Sequence, residues 1–87
     1  MRIDKFLKVS RILKRRTVAQ EACAAGKVLA NGREVKPAYT VKAGDVIELC
    51  YAAGSVKFRI LEVKETVRKE EAASLYEILS EPKDENE

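Results

Sequence analysis

Basic side chains are concentrated at the start of this 87-residue sequence, and their types and spacing suit one kind of chemistry. Seven of the first 16 residues are Lys or Arg, and Asp4 is the only acid among them. Arg offers phosphate oxygens a planar fork of donors, whereas Lys supplies a mobile point charge. We therefore expect a phosphate-binding surface made by these seven side chains: Arg2, Lys5, Lys8, Arg11, Lys14, Arg15 and Arg16.

The charges of the whole chain are unevenly divided between its two halves. Residues 1–44 hold eleven basic and three acidic side chains, a net charge of +8, whereas residues 45–87 hold six and eleven, a net charge of −5. The alternative is a solvated charged face that only keeps a small domain in solution. Such faces usually mix signs at i, i+4 spacing, which this segment hardly does, so the asymmetry favours steering toward a polyanion.

The residue types that are missing exclude several function classes. The sequence has no His and only two cysteines, so His-based nucleophilic systems and the common zinc sites are excluded. We expect Cys23 to pack as a small apolar residue among alanines. The four glycines form no phosphate-binding loop motif, and a chain this short favours a surface function over a deep active site. We therefore expect no enzyme activity, no metal and no cofactor.

Two short helices should carry the basic residues. Ile3, Phe6, Leu7 and Ser10 follow the i, i+3, i+4, i+7 series of an amphipathic helix. A second helix is predicted to begin at Thr17, where Thr17 to Gln20 matches a capping box, and to end before a glycine.

The pattern then changes from helical to strand-like. Two short runs, 27–30 and 33–35, flank an Asn-Gly pair and predict a hairpin with a type I′ turn, and residues 46–51 and 55–63 predict two more strands. Helical spacing of Ala72, Leu75, Tyr76 and Leu79 predicts a C-terminal amphipathic helix. The expected fold class is α+β, with two N-terminal helices packed on a small, mostly antiparallel sheet. The expected organisation is a single domain over 1–80 and a disordered acidic tail over 81–87.

Several short motifs, taken in order, resemble the RNA-binding domain family named after ribosomal protein S4. The similarity covers about residues 2–49, and the chain is most similar to the small stand-alone bacterial members that act in heat shock and in ribosome-associated quality control. Residues 5–11, 14–17 and 69–76 resemble the quality-control members. The matching segments are Arg2-Ile3-Asp4-Lys5-Phe6-Leu7, Arg16-Thr17 with Ala19, Gly26-Lys27-Val28, Asn31-Gly32, Lys36-Pro37 and Gly44-Asp45-Val46-Ile47.

The resemblance implies a function and a set of partners. It implies binding to ribosomal RNA and tRNA on the free large ribosomal subunit that carries a stalled peptidyl-tRNA, together with a tRNA-recruiting factor that adds C-terminal alanine tails. It assigns phosphate contacts to Arg2, Lys5, Arg11, Arg15 and Arg16, with Lys8, Lys14 and Lys36 in support. We expect a cytoplasmic monomer with no membrane partner, since no run of 18 apolar residues occurs.

Three other functions stay open on the sequence alone. One is a general ribosome-binding assembly factor or heat-shock recycling factor of the same family. Another is the accessory RNA-binding domain of an enzyme such as a pseudouridine synthase. The third is a DNA-binding regulator, which the alanine-rich second helix disfavours because it offers few long donors for reading base edges.

Overall fold

The computed structural model describes residues 1–51 and 54–80. It contains two α-helices, one 3-10 helix and five strands. The expected acidic tail, 81–87, lies outside the described residues. The helices are α1 (Ile3–Val9), α2 (Arg16–Ala24) and the 3-10 helix (Lys69–Leu75); the strands are β1 (Val28–Ala30), β2 (Arg33–Glu34), β3 (Val46–Tyr51), β4 (Gly54–Ile60) and β5 (Tyr76–Ser80).

The strands form one antiparallel sheet in the order β2-β1-β3-β4-β5. Asn31 and Gly32 connect β1 to β2, and their φ angles of 53° and 86° are both positive. A type I′ turn requires this conformation, so the predicted hairpin is confirmed. β4 ends at Ile60, earlier than the alternating sequence pattern predicts.

The helices and the sheet share one hydrophobic core. Ile3, Phe6 and Leu7 of α1 are fully buried, as is Phe58 of β4. On α2 the buried residues are small, which allows close packing between the two helices. The predicted α+β fold with two N-terminal helices on an antiparallel sheet is therefore confirmed. Within the two described ranges, no helix is long and apolar enough to span a membrane.

The predicted C-terminal amphipathic helix is wrong in type and extent. Ala72 and Leu75 are buried, as the periodicity predicts, but they lie on a 3-10 helix that ends at Leu75. Tyr76 is the first residue of β5 and lies opposite Ile60 of β4. Its ring packs edge-on against that of Phe58, with centroids 5.6 Å apart. Pairing with β4 thus prevails over the helical pattern, since it packs the Tyr76 ring on the core residue Phe58 and extends the sheet by one strand.

The predicted start of α2 is also corrected. The helix begins at Arg16, its N-cap is the extended Arg15, and no side chain caps it. Thr17 is therefore inside the helix, and the capping box is absent. Gln20 instead donates its side-chain N–H to the Asp4 carboxylate, 3.0 Å away. In a capping box the Gln20 side-chain oxygen would accept from a backbone N–H at the helix start, whereas here the Gln20 amide N–H supplies a partner to a buried carboxylate, which needs such donors.

Candidate nucleic-acid interface

A groove beside α1 collects most of the predicted phosphate-binding residues. It has a volume of about 620 Å³ and is walled by α1, by the connection from α1 to α2, and by the segment that follows β4. The structure thereby brings together side chains that are up to 11 positions apart, and five of the eight predicted site residues meet there: Lys5, Lys8, Arg11, Lys14 and Arg16. We call this feature the basic groove.

Arg2 lies next to the basic groove and is held by backbone contacts at the start of α1. The backbone of Arg2 pairs with that of Thr40 in a single antiparallel β-bridge outside the sheet. On either side of it, the Ile3 N–H donates to the Tyr39 carbonyl at 2.7 Å, and the Val41 N–H donates to the Met1 carbonyl at 2.9 Å. These bonds fix the backbone of Arg2, while its side chain stays 48% exposed. The arginine is thus anchored at its base and accessible at its tip.

The Asp4 carboxylate joins Arg2 to Arg16. Asp4 is fully buried. Its Oδ1 accepts from Nε of Arg2 at 3.2 Å and from the Lys5 N–H at 2.7 Å. Its Oδ2 accepts from Nη2 of Arg2 at 3.1 Å and from Gln20 at 3.0 Å, and lies 3.3 Å from Nε of Arg16. One carboxylate therefore orients two half-exposed arginines from different helix starts.

This environment keeps Asp4 ionised. Burial alone would raise its pKa, but the contacts with Gln20, Arg16 and the Lys5 N–H outweigh burial and lower the pKa below its ordinary value. A buried carboxylate needs such partners because desolvation penalises its charged form. The only acid among the first 16 residues is therefore a structural link between two phosphate-binding candidates.

The connection from α1 to α2 turns Arg11 and Lys14 toward the same groove. α1 ends at Val9, and Arg11 adopts a positive φ of 64°. The Leu13 N–H then donates back to the Leu7 carbonyl at 3.0 Å. A left-handed residue at this point reverses the chain, so Arg11 and Lys14 line the groove with the side chains of α1.

The opposite wall comes from a distant part of the sequence. Glu65, Thr66 and Val67 follow β4 in a segment without helix or strand and line the basic groove. The Glu65 carboxylate accepts a hydrogen bond from Nζ of Lys5. Sequence analysis missed this wall, since no motif links residues 60 positions apart.

Besides Arg2, two predicted residues do not line the groove. Arg15 is the exposed N-cap of α2. Lys36 lines a separate hollow of about 420 Å³ together with Cys23, Gly26 and Glu34. The structure therefore separates Lys36 from the main group of basic side chains.

A second buried carboxylate joins the turn between β1 and β2 to the connection between β2 and β3. Asp45 accepts from Nδ2 of Asn31 at 3.3 Å, from the Tyr39 hydroxyl at 3.2 Å and from the Lys42 N–H at 3.1 Å. Burial again favours the neutral acid, but these hydrogen bonds lower the pKa of Asp45. Because the Tyr39 carbonyl also accepts a hydrogen bond from the Ile3 N–H, this network supports the segment that anchors Arg2.

The cysteines lack the features of a reactive or metal-binding pair. Cys23 is buried, and burial together with the nearby Asp4 charge raises its pKa. Among residues 1–51 and 54–80, no group of three or more potential metal ligands comes together. A thiol with a raised pKa is a poor nucleophile, in keeping with a packing role for Cys23.

Comparison with known proteins finds one matching domain family and several similar sequences. The model of the S4 domain family matches residues 1–47. A protein of Halalkalibacterium halodurans named RQC P-site tRNA stabilizing factor is 51% identical over 81 residues, which cover 93% of this chain and 92% of that protein. The Bacillus subtilis protein of the same name is 46% identical over 83 residues, which cover 95% of this chain and 96% of its own.

The fold is also similar to a solved structure. Heat Shock Protein 15 of Vibrio cholerae, described as a trimeric structure, aligns with a TM-score of 0.85 at 30% sequence identity. The alignment covers 94% of this chain and 84% of the Vibrio chain. The similarity therefore includes the sheet and the segments that follow residue 47, beyond the part matched by the family model.

Proposed function

Because this chain belongs to the S4 domain family, and within it to the group of RQC P-site tRNA stabilizing factors, we propose that it is a non-catalytic RNA-binding factor of ribosome-associated quality control. Its ligand is the free large ribosomal subunit that still carries a stalled peptidyl-tRNA. Bound there, it contacts ribosomal RNA and the tRNA backbone and supports alanine tailing of the stalled chain by a tRNA-recruiting factor. It acts in the cytoplasm as a monomer.

The observation that carries the proposal is the convergence of five basic side chains on one groove in a chain nearly half identical to its named relatives. A groove with several cations matches the regular spacing of phosphates along RNA better than it matches a small anion. Its side chains lie on the surface, where a large, structured ligand can reach them.

The arginines beside Asp4 suit phosphate binding because part of each guanidinium group stays available. Contacts with Asp4 use Nε and Nη2 of Arg2 and Nε of Arg16. The remaining N–H groups belong to side chains that are 48% and 42% exposed. An orientation set in advance lowers the entropy lost when a phosphate binds. In this proposal Arg2 and Arg16 make the oriented contacts, and Lys5, Lys8, Arg11 and Lys14 supply further charge. Arg15 and Lys36 support binding from outside the groove.

A second candidate function is a heat-shock recycling factor of the same family. The observation that favours it is the TM-score of 0.85 with Heat Shock Protein 15. Sequence identity is higher with the quality-control relatives, at 51% against 30%, which is why the first function is preferred.

Gradient sedimentation of the tagged protein from cells, followed by identification of the RNA in its fraction, tests the proposal. We expect the protein in the fraction of free large subunits, together with large-subunit RNA and tRNA. Migration as free protein, or recovery with DNA, would contradict it.

A matched pair of variants tests the groove in the same gradient. Lys14→Ala with Arg16→Ala removes two charges from the basic groove, and Lys57→Ala with Arg59→Ala removes two from β4. We expect the first variant to leave the large-subunit fraction and the second to stay. Equal behaviour of the two would refute the assignment of the groove.

A further inference from the structure

The basic groove contains one acidic side chain. Glu65 lies among the five basic residues, is 71% exposed, and accepts a hydrogen bond from Nζ of Lys5. Among the described residues, this carboxylate is the one acid that lines the groove. Lys5 therefore has an anionic partner supplied by the protein itself.

The contact favours the ionised form of Glu65. The hydrogen bond from Lys5 and its positive charge both lower the pKa of Glu65. At neutral pH the groove thus contains a carboxylate in the position that a phosphate oxygen would take on an ammonium group. A phosphate that approaches Lys5 meets a like charge at close range.

We propose that Glu65 is an internal competitor for phosphate, so that RNA binds Lys5 only by displacing this carboxylate. This inference rests on the proposed binding of RNA in the groove. Displacement is possible because Glu65 lies on the exposed segment between Ile60 and Lys69, which has no helix or strand. An exposed ion pair is a weak interaction, so a strong phosphate contact can replace it.

The exchange makes the groove selective for a phosphodiester chain over a single phosphate. A chain that is already held by Arg11, Lys14 and Arg16 presents its next phosphate to Lys5 at a high effective concentration. A free phosphate has no such second contact and must compete with Glu65 from dilute solution. Glu65 is therefore a specificity-determining residue of the groove.

Salt dependence gives this exchange a measurable signature. A phosphate contact normally releases a counterion from the nucleic acid, which steepens the fall of affinity with salt. When the contact also breaks the Lys5–Glu65 ion pair, the cost of breaking that pair falls as salt screens it, which offsets part of the fall in affinity. Lys5 should thus add less to the salt slope of the wild type than it adds when residue 65 is neutral.

The test measures the affinity of a fluorescent oligouridine RNA by anisotropy over a series of salt concentrations. Glu65→Gln keeps the size of the side chain and removes its charge. We expect binding about two- to fivefold tighter than wild type at ~0.1 M salt. We also expect a steeper salt slope, by up to about 0.7, the value for one contact to a single strand. In the Glu65→Gln background, Lys5→Ala should abolish both gains.

The matched control is Glu62→Gln. Glu62 belongs to the same segment, is 56% exposed, and pairs with Lys64 at 3.8 Å outside the groove. It should bind oligouridine as the wild type does. An equal gain in both variants would show a general charge effect and overturn the inference, as would unchanged or weaker binding by Glu65→Gln, the result expected of a purely structural tether.

Parallel binding to purified large subunits separates the two proposals. If no variant binds subunits while Glu65→Gln alone gains affinity for oligouridine, the proposed function fails and the competitor role of Glu65 stands. If the wild type binds subunits but Glu65→Gln gains nothing on either ligand, the competitor role fails alone. Absence of oligouridine binding by all the proteins overturns the inference too.

Discussion

Replacing Asp4 by Asn tests whether this buried carboxylate holds the two helix starts together. Asp4 accepts four hydrogen bonds and makes a further ion pair with Arg16. In Asp4→Asn one oxygen becomes an NH₂ donor, and whichever oxygen is replaced, at least two donors lose their acceptor. The variant should fold less stably, and its arginines should lose their fixed orientation.

The size of the loss follows from these contacts. A hydrogen bond to a charged group contributes about 1.5–3 kcal/mol, but Arg2 and Arg16 are half-exposed and their share must be reduced because water screens them. The Lys5 N–H or the Gln20 amide, whichever faces the new NH₂ group, carries most of the remaining effect. We expect the free energy of unfolding to fall by about 2–3 kcal/mol. For a chain of this size that lowers the melting temperature by about 10 °C or more.

The pH dependence of the loss has a defined sign. The pKa of Asp4 is lower in the folded protein than its ordinary value, so the folded state favours the ionised carboxylate. Its contribution is fully present above the unfolded pKa of about 3.9 and is lost as the pH falls through the folded pKa. The difference in stability between the wild type and Asp4→Asn should therefore be largest near neutral pH and shrink below about pH 4.

Urea denaturation followed by circular dichroism at several pH values measures both effects. Glu21→Gln is the matched control, because Glu21 is an exposed acid on α2 to which the structure gives no side-chain hydrogen bond or ion pair. It should unfold like the wild type. An Asp4→Asn protein as stable as Glu21→Gln at pH 7, or a difference that grows toward low pH, would refute the role assigned to Asp4.

Three further predictions concern the backbone and the buried thiol. Arg11→Gly should weaken RNA binding, because a positive charge is lost. It should keep the free energy of unfolding or raise it by up to about 1 kcal/mol, because glycine relieves the left-handed strain at φ 64°. An RNA-binding assay and urea denaturation of the same variant check both effects. Asn31→Ala should destabilise by about 2 kcal/mol in urea, since it removes the hydrogen bonds with Asp45 and the Val46 N–H and puts alanine in a left-handed turn. In a Cys50→Ser background, which removes the half-buried second thiol, Cys23 should react slowly with an aromatic disulfide reagent at pH 7 until urea unfolds the chain, because it is buried and its pKa is raised. Rapid labelling of this folded variant would contradict the prediction.

Local patterns predicted the parts of the fold that depend on neighbouring residues. The Asn31-Gly32 pair specifies its turn through positive φ angles, and the spacing of Ile3, Phe6 and Leu7 specifies the buried face of α1. The basic groove can be recognised from local composition, because its five basic residues lie within 12 consecutive positions.

Contacts between distant residues were beyond the reach of these patterns. Tyr76 satisfies a helical spacing, yet it pairs with Ile60 of β4, and only the position of that strand decides between helix and strand. Gln20 fits a capping box, but its side-chain amide instead donates a hydrogen bond to Asp4, which is 16 positions away in the sequence. The contact of Glu65 with Lys5 has no local signal, because it depends on where the chain passes after β4.

The central claim is that the basic groove binds the large ribosomal subunit in its stalled state. The most direct measurement is the affinity of the purified protein for free large subunits with and without peptidyl-tRNA, at two salt concentrations. We predict tighter binding when peptidyl-tRNA is present, weakening as salt rises, and loss of that preference in Arg16→Ala. Equal affinity for empty and tRNA-carrying subunits, or a preference unaffected by Arg16→Ala, would contradict the account.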